Sequence, residues 1–416
     1  MLPALRLQVP VLMARVGSTT TASVVARLIA SGAATAKADL VRATGLSRST
    51  VDAGLHTLMD LGAVRVVGLR ETTGRGRPAE LLELDPAFGV VVVLDFGART
   101  VRIAVADLGQ HVHEEVELPV RLADGPATVL DAVIDRAERM LDVADLGERY
   151  RIAVVGVPGP VDARSGTVVR PPIMPGWDGY GIVAHVRRRL GSDVVVANDV
   201  NLRALGEVRA SAPDGPLLYI KVGTGIGAGL TTAHGDLMAG ANGAAGDIGH
   251  LRLRGSGEHC RCGQVGCLEA VASLAALARS DGDDSAAAIT RFVARLRGGD
   301  ETCRAMVVDS AEAIGEIVAD LVHFYNPSRV LLGGDLAAAS PDLLAGVRGV
   351  VYERALPLAT RSLTIEVAPL GARAGVAGAI VLGIEQALDA RRLAQLAARR
   401  RSRTGARAVR LATPAA

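Results

Sequence analysis

Apolar residues recur every three or four positions in the first part of the chain, which predicts three short helices. The segments are residues 22–30, a stretch from Thr35 to Gly45 and a stretch from Ser47 to Gly62. Thr35 and Ser47 have side chains that can cap helix N-termini. Gly45 and Gly62 are placed to end their helices. Two short strands are expected next, around residues 64–68 and 81–84.

From Val90 onwards, apolar runs of strand length alternate with helical patterns. Strands are predicted at five such runs, and a loop follows each of them. The runs are VVVLDF, VRIAVADL, RIAVVGV, DVVVAN and PLLYIKV. Helices are expected over 127–143, 182–190, 310–324 and 374–390, with a strand at RVLLGG. Alternation of this kind predicts an α/β fold whose central strands are largely parallel.

The stretch KADLVRATGLSRSTVDAGLHTLMDLGAV indicates a helix-turn-helix. Its last helix places Val51, Leu55, Leu58 and Met59 on an apolar side, and Arg48, Ser49, Asp52 and His56 on the outward side. Such a helix can enter the DNA major groove. The alternative is a three-helix bundle that contacts protein.

The loop RETTGRGRPAE between the two short strands favours DNA. Its glycines and arginines suit the tip of a wing that enters a minor groove, although GRGRP alone could be a flexible basic loop. The sequence therefore predicts a winged helix that binds double-stranded DNA. The candidate contacts are Arg48, Ser49, Thr50, Arg75 and Arg77.

Composition limits the number of domains and disfavours some functional classes of protein. A chain of 416 residues is long enough for two or three domains, and aromatics at 2% disfavour an RNA binder built on stacking platforms. The formal net charge of +2 indicates no partner. The arginine-rich stretch 391–410 suits an exposed helix end that leads into a disordered tail, or a nonspecific contact with DNA phosphates. No transmembrane or signal pattern is found, so we expect a cytoplasmic protein without a membrane partner.

Three of the four cysteines cluster behind a histidine. Three thiolates and one imidazole suit tetrahedral zinc, and four filled positions make such a site structural. The alternative is a set of free buried thiols. Cys303 lies apart and is expected in the core. The candidate ligands are His250, Cys260, Cys262 and Cys267.

The run GHLRLRGSGEHCRCGQVGCLE resembles the signature of the ROK family of sugar kinases and repressors. Six further segments resemble the family's motifs and follow in the same order along the chain. They are GVPGPVD, PGWDG, ANDVNLRALGE, KVGTGIGAGL, GAAGDIGH and LLGGDL. The resemblance implies a two-lobed actin-like (ribonuclease H-like) ATPase fold, and the winged helix matches the family's regulator branch. We expect a winged helix over 1–86, a kinase-like module over 87–396 whose C-terminal helix returns to the first lobe, and a basic tail over 397–416.

The resemblance also implies roles for individual residues. Asn198 and Asp199 match sugar-binding positions, and Asp199 matches the base that accepts the proton of the attacking sugar hydroxyl. Asp247, His250 and Glu269 match further sugar contacts. His250 would bind zinc with one nitrogen and leave the other for a sugar hydroxyl. Kinases usually have glutamate in place of Asp247, and this shorter side chain should weaken or alter the sugar contact.

The first phosphate loop departs from the kinase pattern D-x-G-x-T. Arg99 stands in place of the small hydroxyl residue, and Thr100 is shifted by one. The guanidinium would either crowd or occupy the phosphate position, or point to solvent. The implied phosphate and nucleotide residues are Asp95, Gly97, Gly223, Thr224, Gly225, Gly333 and Gly334.

The sequence thus predicts a DNA-binding regulator of carbohydrate genes, more specifically a repressor, with a sugar or sugar phosphate as effector. It is expected to bind structural Zn²⁺ and an operator as a homodimer or homotetramer. The alternatives are an ATP- and Mg²⁺-dependent sugar kinase of the glucokinase type that keeps a DNA-binding arm, and a ligand-free scaffold.

Overall fold

The computed structural model describes residues 1–9, 18–70, 78–146, 149–162, 164–211, 214–279, 282–283, 285–398 and 400. Three helices and a two-stranded antiparallel sheet come first. Their bounds are α1 (Ser18–Ala30), α2 (Lys37–Thr44), α3 (Arg48–Leu61), β1 (Val64–Leu69) and β2 (Glu80–Leu84). This is the order of a winged helix-turn-helix, as predicted. None of the helices in the described ranges is long and apolar enough to cross a membrane.

The ends of α2 and α3 are set by the residues that the sequence indicates. Gly45 and Gly62 both adopt left-handed backbone angles and end their helices. The hydroxyl of Ser47 accepts a hydrogen bond of 3.2 Å from the backbone N–H of Thr50 at the start of α3. These three predictions are confirmed.

Two details of this unit were predicted wrongly. The N-cap of α2 is Ala36, which has no capping side chain. Thr35 is paired with the sheet instead, because its carbonyl accepts a hydrogen bond of 2.8 Å from the backbone N–H of Leu82. Met59 is exposed at the rim of α3, whereas Leu55 beside it is buried.

The first lobe contains seven elements: β3 (Gly89–Phe96), β4 (Thr100–Asp107), β5 (Val112–Pro119), α4 (Pro126–Val143), β6 (Tyr150–Val157), α5 (Ile182–Leu190) and β7 (Asp193–Asn198). Its strands form a mixed sheet in the order β5-β4-β3-β6-β7. β6 and β7 continue in parallel from β3, and β4 and β5 are antiparallel. Alternation along β3 packs Val90 and Val92 against α4 and α5, and turns Val91 and Val93 to the opposite core.

The second lobe contains β8 (Leu217–Val222), β9 (Ile226–Thr231), α7 (Leu268–Ala272), α8 (Leu274–Ala278), α9 (Ala286–Arg297), α10 (Glu301–Tyr325), β10 (Arg329–Gly333), α11 (Asp335–Ala339), α12 (Pro341–Arg354), α13 (Pro357–Thr360) and β11 (Thr364–Val367). Its four strands form a sheet in the order β11-β10-β8-β9, in which only β9 is antiparallel to its neighbour. α10 begins nine residues before the predicted start at 310, because the Asp300 side chain caps it at the backbone N–H of Cys303. Cys303 is buried, as predicted.

Two helices join these parts. α6 (Asp199–Ala210) connects the two sheets, and α14 (Ala374–Ala387) packs against α6 and against β3 and β6 of the first lobe. Residues of α1, α6, α14 and both sheets share one buried core. α14 ends before the predicted residue 390, and a further helical stretch covers 390–398. The remaining tail lies outside the described residues, except for residue 400.

Candidate functional site: a polar pocket and a glycine cleft

One pocket, here called the polar pocket, is lined by loops at the ends of both sheets. The turn at Pro158–Pro160 after β6 forms one wall, and the loop at Thr224–Gly225 between β8 and β9 forms another. All five residues predicted to contact a sugar line this pocket, although they are far apart in the chain. They are Asn198, Asp199, Asp247, His250 and Glu269.

The first two of these residues are positioned by the start of α6. The Asn198 side chain accepts hydrogen bonds from the backbone N–H groups of Val200 and Asn201, and donates one of 3.0 Å to the carbonyl of Gly159. Asn198 therefore caps the helix and ties it to the wall of the pocket. Asp199 lies in the first helical turn, where the helix dipole favours a carboxylate.

Lys221 is a pocket residue that the sequence analysis missed. It lines the polar pocket, and its Nζ atom lies 2.5 Å from Oδ2 of Asp199. The side chains of Lys221 and Asp199 are 18% and 2% exposed. Because Asp199 is buried, the ion pair supplies its carboxylate with a partner that replaces water. Lys221 directly precedes the glycine loop in KVGTGIGAGL, and this position is the only sequence signal for it.

Glu269 closes the pocket from α7. Its Oε2 atom accepts a hydrogen bond of 3.0 Å from the backbone N–H of Ile226. A Cβ atom at position 225 would lie 2.3 Å from the same oxygen, so Gly225 is required for this approach. Asp247 also lines the pocket, and its Oδ1 atom lies 3.9 Å from Nε2 of His250. This nitrogen therefore faces the pocket side of the ring.

The predicted metal ligands converge beside the pocket. The four ligand atoms lie within 4.8 Å of one another, with Nδ1 of His250 at 3.6 Å from Sγ of Cys260 and Sγ of Cys262 at 3.7 Å from Sγ of Cys267. A zinc tetrahedron with Zn–S of about 2.3 Å and Zn–N of about 2.0–2.1 Å has edges of about 3.6–3.8 Å. Burial raises the pKa of the Cys267 thiol to about 12, so thiolates here need a neighbouring cation. The cluster is thus compatible with structural zinc.

A second cavity, here called the glycine cleft, adjoins the polar pocket, and Lys221 and Thr224 line both. Six of the seven predicted phosphate and nucleotide residues line the glycine cleft, and Gly225 lines the polar pocket instead. The six are Asp95, Gly97, Gly223, Thr224, Gly333 and Gly334. The arrangement brings the loop after β3, the loop after β8 and the turn after β10 to one place.

Arg99 extends across the glycine cleft. Its Nη2 atom lies 2.8 Å from Oδ2 of Asp335 at the start of α11, and its Nη1 atom lies 3.5 Å from Oγ1 of Thr290 on α9. The guanidinium thus connects the first lobe to the second. The sequence left open whether the Arg99 side chain enters the phosphate position or points to solvent. The structure agrees with a side chain that enters the cleft. Asp335 belongs to the LLGGDL segment but was not singled out there, and Thr290 gave no signal in the sequence.

Asp95 lies at the floor of the cleft and is buried. Burial raises the pKa of this carboxyl, and the guanidinium of Arg203, at 3.8 Å, opposes that rise. Among the described residues, neither carboxylate oxygen has a hydrogen-bond partner. Asp95 is therefore a candidate to receive a donor from a bound group.

The outward face of α3 contains the described candidates for DNA contact. Arg48 and Ser49 are exposed, and Thr50 is half-buried. The hydroxyls of Ser49 and Thr50 lie within 2.9 and 2.8 Å of the Ser47 hydroxyl. Arg48 is thus the most available of the three. The two candidate wing residues, Arg75 and Arg77, lie outside the described residues.

Known proteins share this architecture. A xylose repressor of Caldicellulosiruptor bescii is 28% identical over 362 residues, which cover 83% of this chain and 90% of that protein. A glucokinase of Thermotoga maritima is 29% identical over 307 residues, which cover 70% of this chain and 95% of that protein. The crystal structure of a ROK family transcriptional regulator, a homologue of the Escherichia coli Mlc protein, matches with a TM-score of 0.73 and 24% identity over 91% of this chain and 98% of that chain.

These likenesses confirm the predicted fold, a winged helix followed by a two-lobed actin-like module. The ROK family model matches residues 91–386, which is more than half of the chain. The chain belongs to the ROK family.

Proposed function

We propose that the protein is a DNA-binding transcriptional regulator of carbohydrate genes, acting as a repressor, whose effector is a sugar or sugar phosphate in the polar pocket. The observation that carries this proposal is that one chain combines an exposed recognition helix with a pocket lined by five polar side chains of the sugar-binding type. The likeness to the xylose repressor extends over 83% of the chain, whereas the glucokinase covers 70%.

The chemistry of the pocket supports a polyhydroxylated ligand. Carboxylates accept hydrogen bonds from hydroxyl groups, and an amide or imidazole can donate as well as accept. Asp199, Asp247 and Glu269 supply carboxylates, and His250 supplies a ring nitrogen on the pocket side. We propose that structural Zn²⁺ holds the loop from Cys260 to Cys267 and thereby positions the adjoining helix α7, on which Glu269 lies.

An ATP- and Mg²⁺-dependent sugar kinase is the second candidate. It is favoured by Asp199 at the border of the polar pocket, where a base could accept the proton of a sugar hydroxyl. Two contacts count against it. Lys221 pairs with the carboxylate of Asp199, and Arg99 crosses the glycine cleft where a phosphate chain would lie.

DNA binding would use a pair of subunits. Two recognition helices in a symmetric dimer, or in a tetramer made of such dimers, can address half-sites about one helical turn apart. We therefore propose a palindromic operator, with affinity that falls steeply as salt increases.

Three measurements on the same preparation test the proposal. A panel of pentoses, hexoses, N-acetylhexosamines and their phosphates is screened for an increase in the thermal midpoint, because a ligand of the folded state stabilises it. DNA duplexes are selected by the protein from a random-sequence pool. ATP and Mg²⁺ are then supplied with each stabilising sugar. Selected palindromic DNA and a stabilising sugar without turnover support regulation, whereas turnover of about 1–100 per second supports the kinase.

A further inference from the structure

Helices α6 and α14 extend together from the two cavities to the winged helix. At the cavity end, Asp199 begins α6, and Gly375 near the start of α14 lies against Asp95. At the other end, Arg209 of α6 and Glu385 of α14 meet below α1. The pair therefore contacts both the candidate effector site and the DNA-binding unit.

The two helices are in backbone contact where they cross. A Cβ atom at position 206 would lie 2.1 Å from the carbonyl oxygen of Ala374, and one at position 378 would lie 1.8 Å from the carbonyl oxygen of Leu202. Only glycine fits at Gly206 and Gly378. Packing this close leaves no side chains between the helices to absorb a shift, so α6 and α14 should move as one body.

A buried polar cluster, here called the Glu385 joint, connects the α6–α14 pair to α1. Its members are Gln8, Ser23, Arg27, Arg209 and Glu385. Oε1 of Glu385 lies 3.3 Å from Nη2 of Arg209 and accepts a hydrogen bond of 2.7 Å from the backbone N–H of Gln8. Arg27 of α1 donates to the backbone carbonyl of Glu385 at 2.7 Å. Ser23 of α1 donates from its hydroxyl to the carbonyl that follows α14, at Leu388. The charged members are 9% exposed or less.

Because the groups of the Glu385 joint are buried, the joint opposes movement of α14 relative to α1. Breaking a hydrogen bond between buried groups leaves both groups unpaired and away from water, which is costly. Sliding α14 past α1 would break the hydrogen bonds that Arg27 and Ser23 donate to the end of α14, so a displacement of α14 should displace α1. α1 in turn touches the recognition helix, because Thr21 packs against Gly54 of α3.

We propose that the α6–α14 pair, acting through the Glu385 joint, transmits effector occupancy from the polar pocket to the DNA-binding helices. This inference rests on the proposed function and specifies how the pocket is coupled to DNA. A second contact between the winged helix and the body provides the natural control. The Gln110 side chain, in the turn between β4 and β5, donates to the carbonyl of Ala30 and accepts from the backbone N–H of Leu5.

The test measures coupling rather than affinity. Fluorescence anisotropy gives the Kd for the DNA duplex that the wild-type protein selects from a random pool, with and without saturating D-xylose or D-glucose. The ratio of the two Kd values is the coupling factor, and typical factors are about 5–150. In Glu385→Gln and in Ser23→Ala the factor should fall at least threefold, while DNA affinity without sugar stays within about threefold of wild type. Gln110→Ala should keep the wild-type factor.

The outcomes distinguish a failure of the proposed function from a failure of the proposed transmission route alone. A wild-type factor of one with both sugars, in a protein that binds DNA and either sugar, contradicts the proposed function and the inference together. A wild-type factor well above one that survives in Glu385→Gln and Ser23→Ala overturns the inference alone, as does its loss in Gln110→Ala only. If Glu385→Gln does not fold, Ser23→Ala decides, because it removes a single hydrogen bond and leaves the ion pair of Glu385 in place.

Discussion

The Nζ atom of Lys221 lies 2.5 Å from Oδ2 of Asp199, at the border between the polar pocket and the glycine cleft. This ion pair places a cation between the residue that matches the kinase base and the loop that would hold the transferred phosphate. A carboxylate that accepts from an ammonium group is less available to a ligand hydroxyl.

Replacing Lys221 should destabilise the fold. Lys221→Met leaves the buried carboxylate of Asp199 without its partner, a change that typically costs about 3–5 kcal/mol in the free energy of unfolding. The double variant Asp199→Asn with Lys221→Met should recover a large part of the loss. Urea denaturation of the two single variants and the double variant measures this, and additive losses would show that the pair does not interact.

Arg99 should block nucleotide more than it stabilises the protein. Asp335 is largely exposed, so breaking the contact should change the free energy of unfolding by less than about 1 kcal/mol. Arg99→Thr should bind a non-hydrolysable ATP analogue more tightly than wild type in a calorimetric titration. Arg297→Thr, which changes another arginine of the same cleft, is the matched control. Equal gains in both variants would make the effect one of net charge.

Metal removal should affect stability and ligand binding together. The purified protein should contain about one zinc per chain by elemental analysis. Cys262→Ser should lose the metal, lower the thermal midpoint and weaken sugar binding, because Glu269 follows the liganding loop directly. Cys303→Ala should keep the metal, since Cys303 is a buried core residue outside the cluster. Zinc-free protein with undiminished sugar affinity would contradict this assignment.

Glu207 should make stability depend on pH. Burial raises the pKa of this α6 carboxyl to about 7, above the value of about 4.3 in an unfolded chain. The folded state therefore holds the proton more tightly, and the contribution is fully present below about pH 4.3 and lost as the pH rises through about 7. Glu207→Gln should gain up to about 3–4 kcal/mol over wild type between pH 5 and pH 8. The exposed Glu312→Gln serves as control, and identical profiles for wild type and Glu207→Gln would refute the assignment.

Local signals were sufficient for the winged helix and the metal cluster. Ser47, Gly45 and Gly62 act within one turn of their own position, so the sequence alone indicated the helix ends. The cysteines lie within eight positions of one another, and the geometry of their loop leaves few alternatives. Thr35 was assigned as a cap because propensity favours it, but pairing with β2 took its backbone instead.

The sequence alone did not predict contacts between segments that are far apart in the chain. Lys221 and Asp199 are 22 positions apart, and Arg99 and Asp335 are 236 apart. Either partner alone has the pattern of an ordinary surface charge. The family resemblance placed residues on both sides of the cavities, but only the fold shows which of them meet. The contact between Arg27 and the backbone of Glu385 spans 358 positions and has no local signal.

Arg48 should matter for DNA and not for sugar. It is exposed at the start of α3, where a recognition helix meets base edges and phosphates. Arg48→Ala should weaken binding to the selected duplex by about 1–3 kcal/mol, or roughly 5- to 150-fold, and leave the sugar-induced thermal shift unchanged. Arg361→Ala, an exposed arginine of the second lobe, is the control. Equal losses in both variants would indicate nonspecific electrostatics.

The central claim is that a sugar in the polar pocket controls DNA binding. The most direct test is an anisotropy titration of the selected duplex with wild-type protein, with and without the sugar that raises its thermal midpoint. We predict that this sugar weakens DNA binding at least about fivefold. By reciprocity, the duplex should weaken sugar binding by the same factor. A sugar that binds the wild-type protein and leaves the DNA affinity unchanged would contradict the claim.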